Sequence, residues 1–143
     1  MNYNMLFETL YSYTITEDVK SSIVERVKDR IGDELNEESL EKLIIKNRGI
    51  SCIGFMGGDN EPKEVERLTK YVHQNHPEIK VAWYSGKEDI SEEINPESFD
   101  FIKIGPYIEE RGGLDKEGTN QVFYKVNKGG DLEDITERFK PRF

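Results

Sequence analysis

Residues 50–62 read ISCIGFMGGDNEP, an apolar run followed by glycines, an acidic residue and a proline. The apolar part, 50–55, predicts a buried strand, because short apolar runs bounded by turn residues are typical of strands with both faces covered. The remainder predicts a turn into a helix, since Pro62 suits the first helical position. Asp59 or Asn60 is expected to cap that helix. The stretch is therefore the opening strand, turn and helix of an α/β unit.

The same alternation continues along the chain. Residues 79–84 and 99–104 predict two further strands, which end at Ser85-Gly86 and Gly105-Pro106. Later strands are predicted at 121–126 and 132–136. This order predicts an α/β domain with a mainly parallel sheet and flanking helices. Because ligands bind at the carboxyl ends of strands in open α/β sheets, the three glycine-containing loops are expected to line one edge together.

The remaining segments predict three helices and one strand. An amphipathic helix is predicted over 17–31, whose apolar stripe would cover a sheet edge or pair with another chain. Asn36 is expected to cap a second helix with two glutamates in its first turn. A short helix is predicted around 89–94 and an opening strand within 3–15. No internal repeat or linker interrupts the chain, so residues 1–143 are interpreted as one domain.

The composition bears on the classes of partner. The 143 residues include 20 Lys and Arg against 29 Asp and Glu, a net charge of −9. A nucleic-acid partner or an anionic membrane surface is not expected, because both require a cationic footprint. No apolar run approaches the ~20 residues of a membrane helix. The first residues lack the basic flank of a secretory signal, so the expected location is cytoplasmic.

The chain has one cysteine, Cys52, inside the predicted strand at 50–55. A single cysteine allows no intrachain disulfide and no metal site built from several thiolates. No histidine or basic residue lies next to it in sequence, which favours a buried structural cysteine over a reactive one.

Other titratable groups are also interpreted as structural. His73 and His76 share one side of a predicted helix, but two ligands do not complete a zinc site, and the helix end favours solvated histidines. The acidic run at 88–93 and the pair at 109–110 lie in polar, loop-like sequence, where a solvated surface is expected. No catalytic residue and no metal site is predicted.

Five motifs occur together in a distinctive order. They are Phe55-Met-Gly-Gly-Asp59, Trp83-Tyr-Ser-Gly86, Ile102-Lys-Ile-Gly-Pro-Tyr-Ile-Glu109, Gly113-Leu-Asp115 and Thr119-Asn-Gln121. With them the chain resembles, over residues 32–137, the anaerobic ribonucleotide reductase activating proteins. These are radical S-adenosylmethionine (SAM) enzymes, so the resemblance implies a reduced form of the radical SAM partial barrel.

The resemblance also implies a binding site for SAM. Gly57, Gly58 and Asp59 match the position at which the superfamily contacts the SAM amino group. The neighbouring edges would be formed by the motifs at 84–86 and 103–105, which contribute Ser85, Gly86, Lys103 and Gly105.

The chain departs from the family in its cluster motif. The family carries Cys-x3-Cys-x2-Cys early in the chain, but the corresponding region here, about 12–31, contains no cysteine. Because an iron–sulfur cluster of the 4Fe–4S type needs at least three thiolates, no such cluster is expected. The residues 1–31 are therefore interpreted as a divergent N-terminal segment, natural, truncated or engineered.

The expected function is that of a non-catalytic relative of the activating protein. It would bind SAM or another nucleotide, dock on an anaerobic ribonucleotide reductase-like partner, or form a homo-oligomer. The alternative is a radical SAM glycyl-radical activating enzyme whose cluster-binding segment is missing, altered or supplied by another chain.

Overall fold

A computed structural model describes residues 35–140 and the backbone of residues 6–8. The helix expected at 17–31 lies outside the described residues. The helices and strands, in chain order, are β1 Leu6–Glu8, α1 Glu37–Lys46, β2 Cys52–Met56, α2 Pro62–Asn75, β3 Lys80–Tyr84, β4 Phe101–Ile104, β5 Val122–Val126 and β6 Leu132–Asp134. Short 3-10 helices span Pro96–Ser98 and Thr136–Phe139.

The described strands form one sheet in the order β1-β2-β3-β4-β5-β6. Strands β2, β3 and β4 are parallel, whereas β1 with β2, β4 with β5 and β5 with β6 are antiparallel. The α/β class is therefore confirmed, but the prediction of a mainly parallel sheet is wrong and the sheet is mixed. A turn of a few residues joins β5 to β6, and a tight turn permits only antiparallel pairing. The connection from β4 to β5 contains no helix to carry the chain back across the sheet.

Helix α1 begins as the sequence predicts. The Asn36 side chain accepts a hydrogen bond from the backbone N–H of Ser39 at 2.9 Å. The Ser39 hydroxyl accepts one from the Asn36 N–H at the same distance. This reciprocal pair satisfies two backbone donors that the first turn would otherwise leave without a partner.

Helix α2 begins differently from the prediction. Pro62 lies in its first turn as expected, but Glu61 is the N-cap residue and no side chain caps the helix. Neither Asp59 nor Asn60 caps it, so that prediction is wrong. The Asp59 carboxylate instead accepts hydrogen bonds from the loop that follows β3.

The prediction of a helix around 89–94 is also wrong, since these residues form bends and a turn. A helix there would place the like charges of Asp89 and Glu93 four residues apart, which destabilises a helix. The last strand was predicted over 132–136, but β6 ends at Asp134 and is therefore two residues shorter.

The core lies between the sheet and the two helices. Alternate strand residues, including Ile53, Phe55 and Trp83, face α1 and α2 and pack with their buried leucines and valines. The other face of the sheet carries Phe123, whose ring lies 4.6 Å, centroid to centroid, from that of Phe139. Within the described residues, no helix combines the length and apolar character needed to span a bilayer.

Cys52 is buried, as the sequence predicts. Burial raises the pKa of its thiol far above the ordinary range, because the charged thiolate is poorly solvated there. The thiol therefore packs as a small apolar group of the sheet.

The two histidines are paired with carboxylates rather than simply solvated. His76 bonds through Nε2 to Glu41 of α1, and His73 bonds through Nε2 to Asp100 at 2.8 Å. Asp100 also accepts a hydrogen bond from the Val81 amide at 2.8 Å. The end of α2 is thereby tied both to α1 and to the start of β4.

The Asp100 carboxylate predicts acid sensitivity. Burial pushes its pKa up, but the hydrogen bonds from His73 and Val81 and the nearby positive charges leave it below the ordinary 3.8. A carboxyl group whose pKa is lower in the folded than in the unfolded protein stabilises the fold at pH values above the unfolded pKa. This contribution is lost as the pH falls through the folded pKa. We expect the urea midpoint to fall as the pH is lowered from about 4 through the folded pKa of Asp100, and to fall less in Asp100→Asn. Asp131→Asn, at an exposed carboxylate, should keep the wild-type slope, and an unchanged slope in Asp100→Asn would contradict the assignment.

Candidate functional site

The loops after the three parallel strands meet at one edge of the sheet, as expected. The Gly57 N–H donates to the Tyr84 carbonyl at 3.0 Å, and the Ser85 N–H donates to the Lys103 carbonyl at 2.9 Å. The Gly105 N–H donates to the Lys87 carbonyl at 2.7 Å. These bonds extend the parallel pairing beyond the strands and hold the three loops side by side.

Asp59 connects the first of these loops to the second. Its Oδ1 accepts a hydrogen bond from the Ser85 hydroxyl at 2.5 Å, and its Oδ2 accepts one from the Gly86 amide at 2.9 Å. A carboxylate that accepts from two donors is held in one orientation. Sequence reasoning gave this side chain as a candidate helix cap and as part of the SAM site, but not as a partner of Ser85, because nothing local indicates a partner 26 residues away.

A cleft of about 460 Å³ opens between the loops. That volume falls within the roughly 300–1,000 Å³ of small-molecule sites. Four of the seven residues predicted to bind a ligand line it, namely Gly57, Asp59, Gly86 and Lys103. The other three predicted residues, Gly58, Ser85 and Gly105, are buried and do not line it.

Lys103 provides the positive charge of the cleft. The residue is 8% exposed, and its ammonium donates to the carbonyl oxygens of Ser85 at 3.1 Å and Gly105 at 2.6 Å. Burial lowers the pKa of the ammonium, and the negative charge of Asp59 partly opposes this effect. The cleft therefore contains one carboxylate and one ammonium.

The site prediction missed residues from the segment 105–121, which returns to the cleft. Tyr107, Leu114 and Gln121 line it together with Met56 and Tyr84. The segment lacks regular structure, but hydrogen bonds from its side chains to its own backbone hold it in place. For example, the Asn120 amide donates to the Pro106 carbonyl at 3.0 Å. The motifs that carry the family resemblance include these positions, and that was the signal that could have identified them.

An iron–sulfur cluster does not fit the residues of this cleft. The only cysteine, Cys52, lies at the start of β2, whereas the cleft is at the other end of that strand. Four residues at about 3.3 Å each separate Cys52 from Met56 by roughly 13 Å. In the described part of the chain, no three His, Cys, Asp or Glu residues converge in a way that could hold a metal ion.

Comparison with models of protein families, with curated proteins and with solved structures finds no match.

Proposed function

We propose that this protein binds SAM or a related nucleotide as a non-catalytic relative of the anaerobic ribonucleotide reductase activating proteins. The observation that carries the proposal is the convergence of three loops around one cleft. The Gly57 loop, the Gly86 loop and Lys103 come from three successive parallel strands and meet there. The binding proposal rests on this cleft, and the identity of the ligand rests on the family resemblance.

The parallel core supports a radical SAM-like scaffold in part. Strands β2, β3 and β4 are adjacent in chain order, and α2 forms the connection between the first two. Sequential parallel strands joined by helices are the repeating unit of β/α barrels. The antiparallel β1, β5 and β6 depart from that unit, and the β3–β4 connection contains a short 3-10 helix in place of an α-helix. The proposed partial barrel therefore comprises the β2–β4 part alone.

The absence of cluster ligands within this chain favours binding over radical chemistry. Reductive cleavage of SAM needs an electron donor at the ligand, and one buried thiol cannot hold a three-thiolate cluster. What the chain offers in the cleft is recognition. Asp59 presents a fixed carboxylate that can accept from an amino group, and Lys103 presents a cation.

Isothermal titration with SAM and S-adenosylhomocysteine tests the proposal. We expect binding in the micromolar to millimolar range, and a loss on the order of tenfold in Asp59→Asn, because an amide replaces one of the two carboxylate oxygens. Asp131→Asn is the matched control, an exposed aspartate in the β5–β6 turn, and should bind as the wild type does.

The result that would overturn the proposal is the absence of heat with both ligands at millimolar concentration. Gel filtration with an anaerobic ribonucleotide reductase adds a further outcome. Co-elution with the reductase but no ligand binding would replace the ligand-binding role by a docking role.

A further inference from the structure

Two polar side chains form the floor of the cleft, and both are more than nine-tenths buried. Lys103 is 8% exposed and Gln121 is 7% exposed, and both line the cleft. Lys103 belongs to β4, and Gln121 directly precedes the antiparallel β5. Buried polar groups in proteins normally have at least one hydrogen-bond partner, as both side chains do here, and donors beyond that first partner are available to a ligand in the cleft.

The floor retains donors that the described residues do not use. An ammonium has three N–H donors, and the described residues accept two of them, at the carbonyls of Ser85 and Gly105. The Gln121 amide reaches the Gly105 carbonyl at 3.4 Å, which is long for a hydrogen bond. An acceptor that entered the cleft would therefore meet the ammonium of Lys103 in β4 and the carboxamide of Gln121, which directly precedes β5.

The charge of the floor is also incompletely balanced. No carboxylate among the described residues forms an ion pair with Lys103, and Asp59 acts on it only at longer range. A buried cation without a contacting anion is costly, so an anionic group placed here would be bound favourably. Asp59 already uses its oxygens on Ser85 and Gly86.

The balance of charges selects one kind of anion. The cleft contains one cation and one carboxylate, and the chain as a whole has a net charge of −9. A polyphosphate with several negative charges would meet a single ammonium and would be repelled by its surroundings. A carboxylate accompanied by an amino group adds no net charge, so it matches the separate opposite charges of Lys103 and Asp59.

We infer that Lys103 and Gln121 bind the carboxylate of a ligand that carries an α-amino acid group, and that they make the cleft select such ligands over other adenosine compounds. The inference rests on the proposed function and names the part of the ligand that decides specificity. Lys103 is then the specificity-determining residue of the cleft.

The test compares ligands that differ by one group. S-adenosylhomocysteine and its decarboxylated analogue share adenosine, thioether and amine, and only the first has a carboxylate. We expect the wild type to bind the first on the order of tenfold or more tightly, as one charge-assisted contact provides. In Lys103→Met this ratio should fall to about one, while Lys125→Met, at an exposed lysine of the same sheet face, should retain it.

The outcomes separate this inference from the proposed function. Equal affinity for the two ligands in the wild type overturns the inference and leaves the proposed function standing. ATP binding more tightly than S-adenosylhomocysteine overturns the choice of a carboxylate. If no adenosine ligand binds, the proposed function fails and the inference fails with it. Because the ligand pair is compared on the wild-type protein, a Lys103→Met chain that did not fold would still leave a decisive result, and Gln121→Leu offers a second variant with a smaller expected loss.

Discussion

Replacing Trp83 by alanine is expected to lower the free energy of unfolding by about 3–5 kcal/mol. The residue is 1% exposed and its ring stacks on Phe99 with centroids 5.6 Å apart. Its indole N–H also donates to the Gly57 carbonyl at 2.6 Å. Alanine would leave a cavity between sheet and helices and a carbonyl without its donor. Urea unfolding followed by far-UV circular dichroism measures the loss, since Trp83 is the only tryptophan and its fluorescence disappears with it.

Two comparison variants separate the contributions. Tyr107→Ala removes an aromatic ring that is 68% exposed, so its effect should stay within about 0.5 kcal/mol. Trp83→Phe keeps much of the apolar volume but deletes the indole donor, and a loss of about 1–3 kcal/mol is expected. Losses of the same size in Trp83→Ala and Tyr107→Ala would contradict the central position of the indole in the core.

Replacing Gly105 by alanine is expected to cause the second-largest loss in the free energy of unfolding. Its φ is +99°, a conformation that side chains rarely adopt and that costs on the order of 1–3 kcal/mol. A Cβ there would also lie 3.0 Å from the Asn120 carbonyl oxygen and 3.0 Å from the Gln121 Cα, both backbone atoms. Since the returning segment would have to move away, the total loss should exceed the conformational cost alone. The same urea experiment measures it.

The chain offers matched glycines as controls. Gly57 has a φ of +105° but open space around its Cβ position, so Gly57→Ala should show the conformational cost without the clash. Gly118 has open space and no positive φ, and its alanine variant should stay within about 0.5 kcal/mol. If Gly105→Ala were no worse than Gly57→Ala, the close approach of the returning segment would be wrong.

Local patterns in the sequence predicted the elements of the fold well. The apolar runs predicted as strands at 50–55 and 79–84 correspond to β2, Cys52–Met56, and β3, Lys80–Tyr84, and Asn36 caps α1 through its own side chain. These features succeed because an apolar run or a cap depends on residues within one or two turns of each other. The helix expected around 89–94 failed for a local reason too, since its like charges recur at helical spacing.

The sequence predicted that the three loops meet at one edge of the sheet, but it did not predict the hydrogen bonds and burial of the side chains there. Parallel strands bring the loops at 57–59, 85–86 and 105 to one edge whatever their side chains do. The partners of Asp59 and the burial of Lys103 depend on contacts between separate loops. Gln121 reached the cleft only because the segment after Gly105 folds back.

The sequence by itself determined the α/β class and the number of thiolates available to bind a metal cluster. Alternating apolar runs and amphipathic stretches specify strands and helices locally, and one cysteine cannot supply three thiolates however the chain folds. Only the tertiary structure decided which polar groups meet in the cleft. Hydrogen bonds and buried charges depend on distances of a few ångströms between residues far apart in sequence, and packing of the sheet sets those distances.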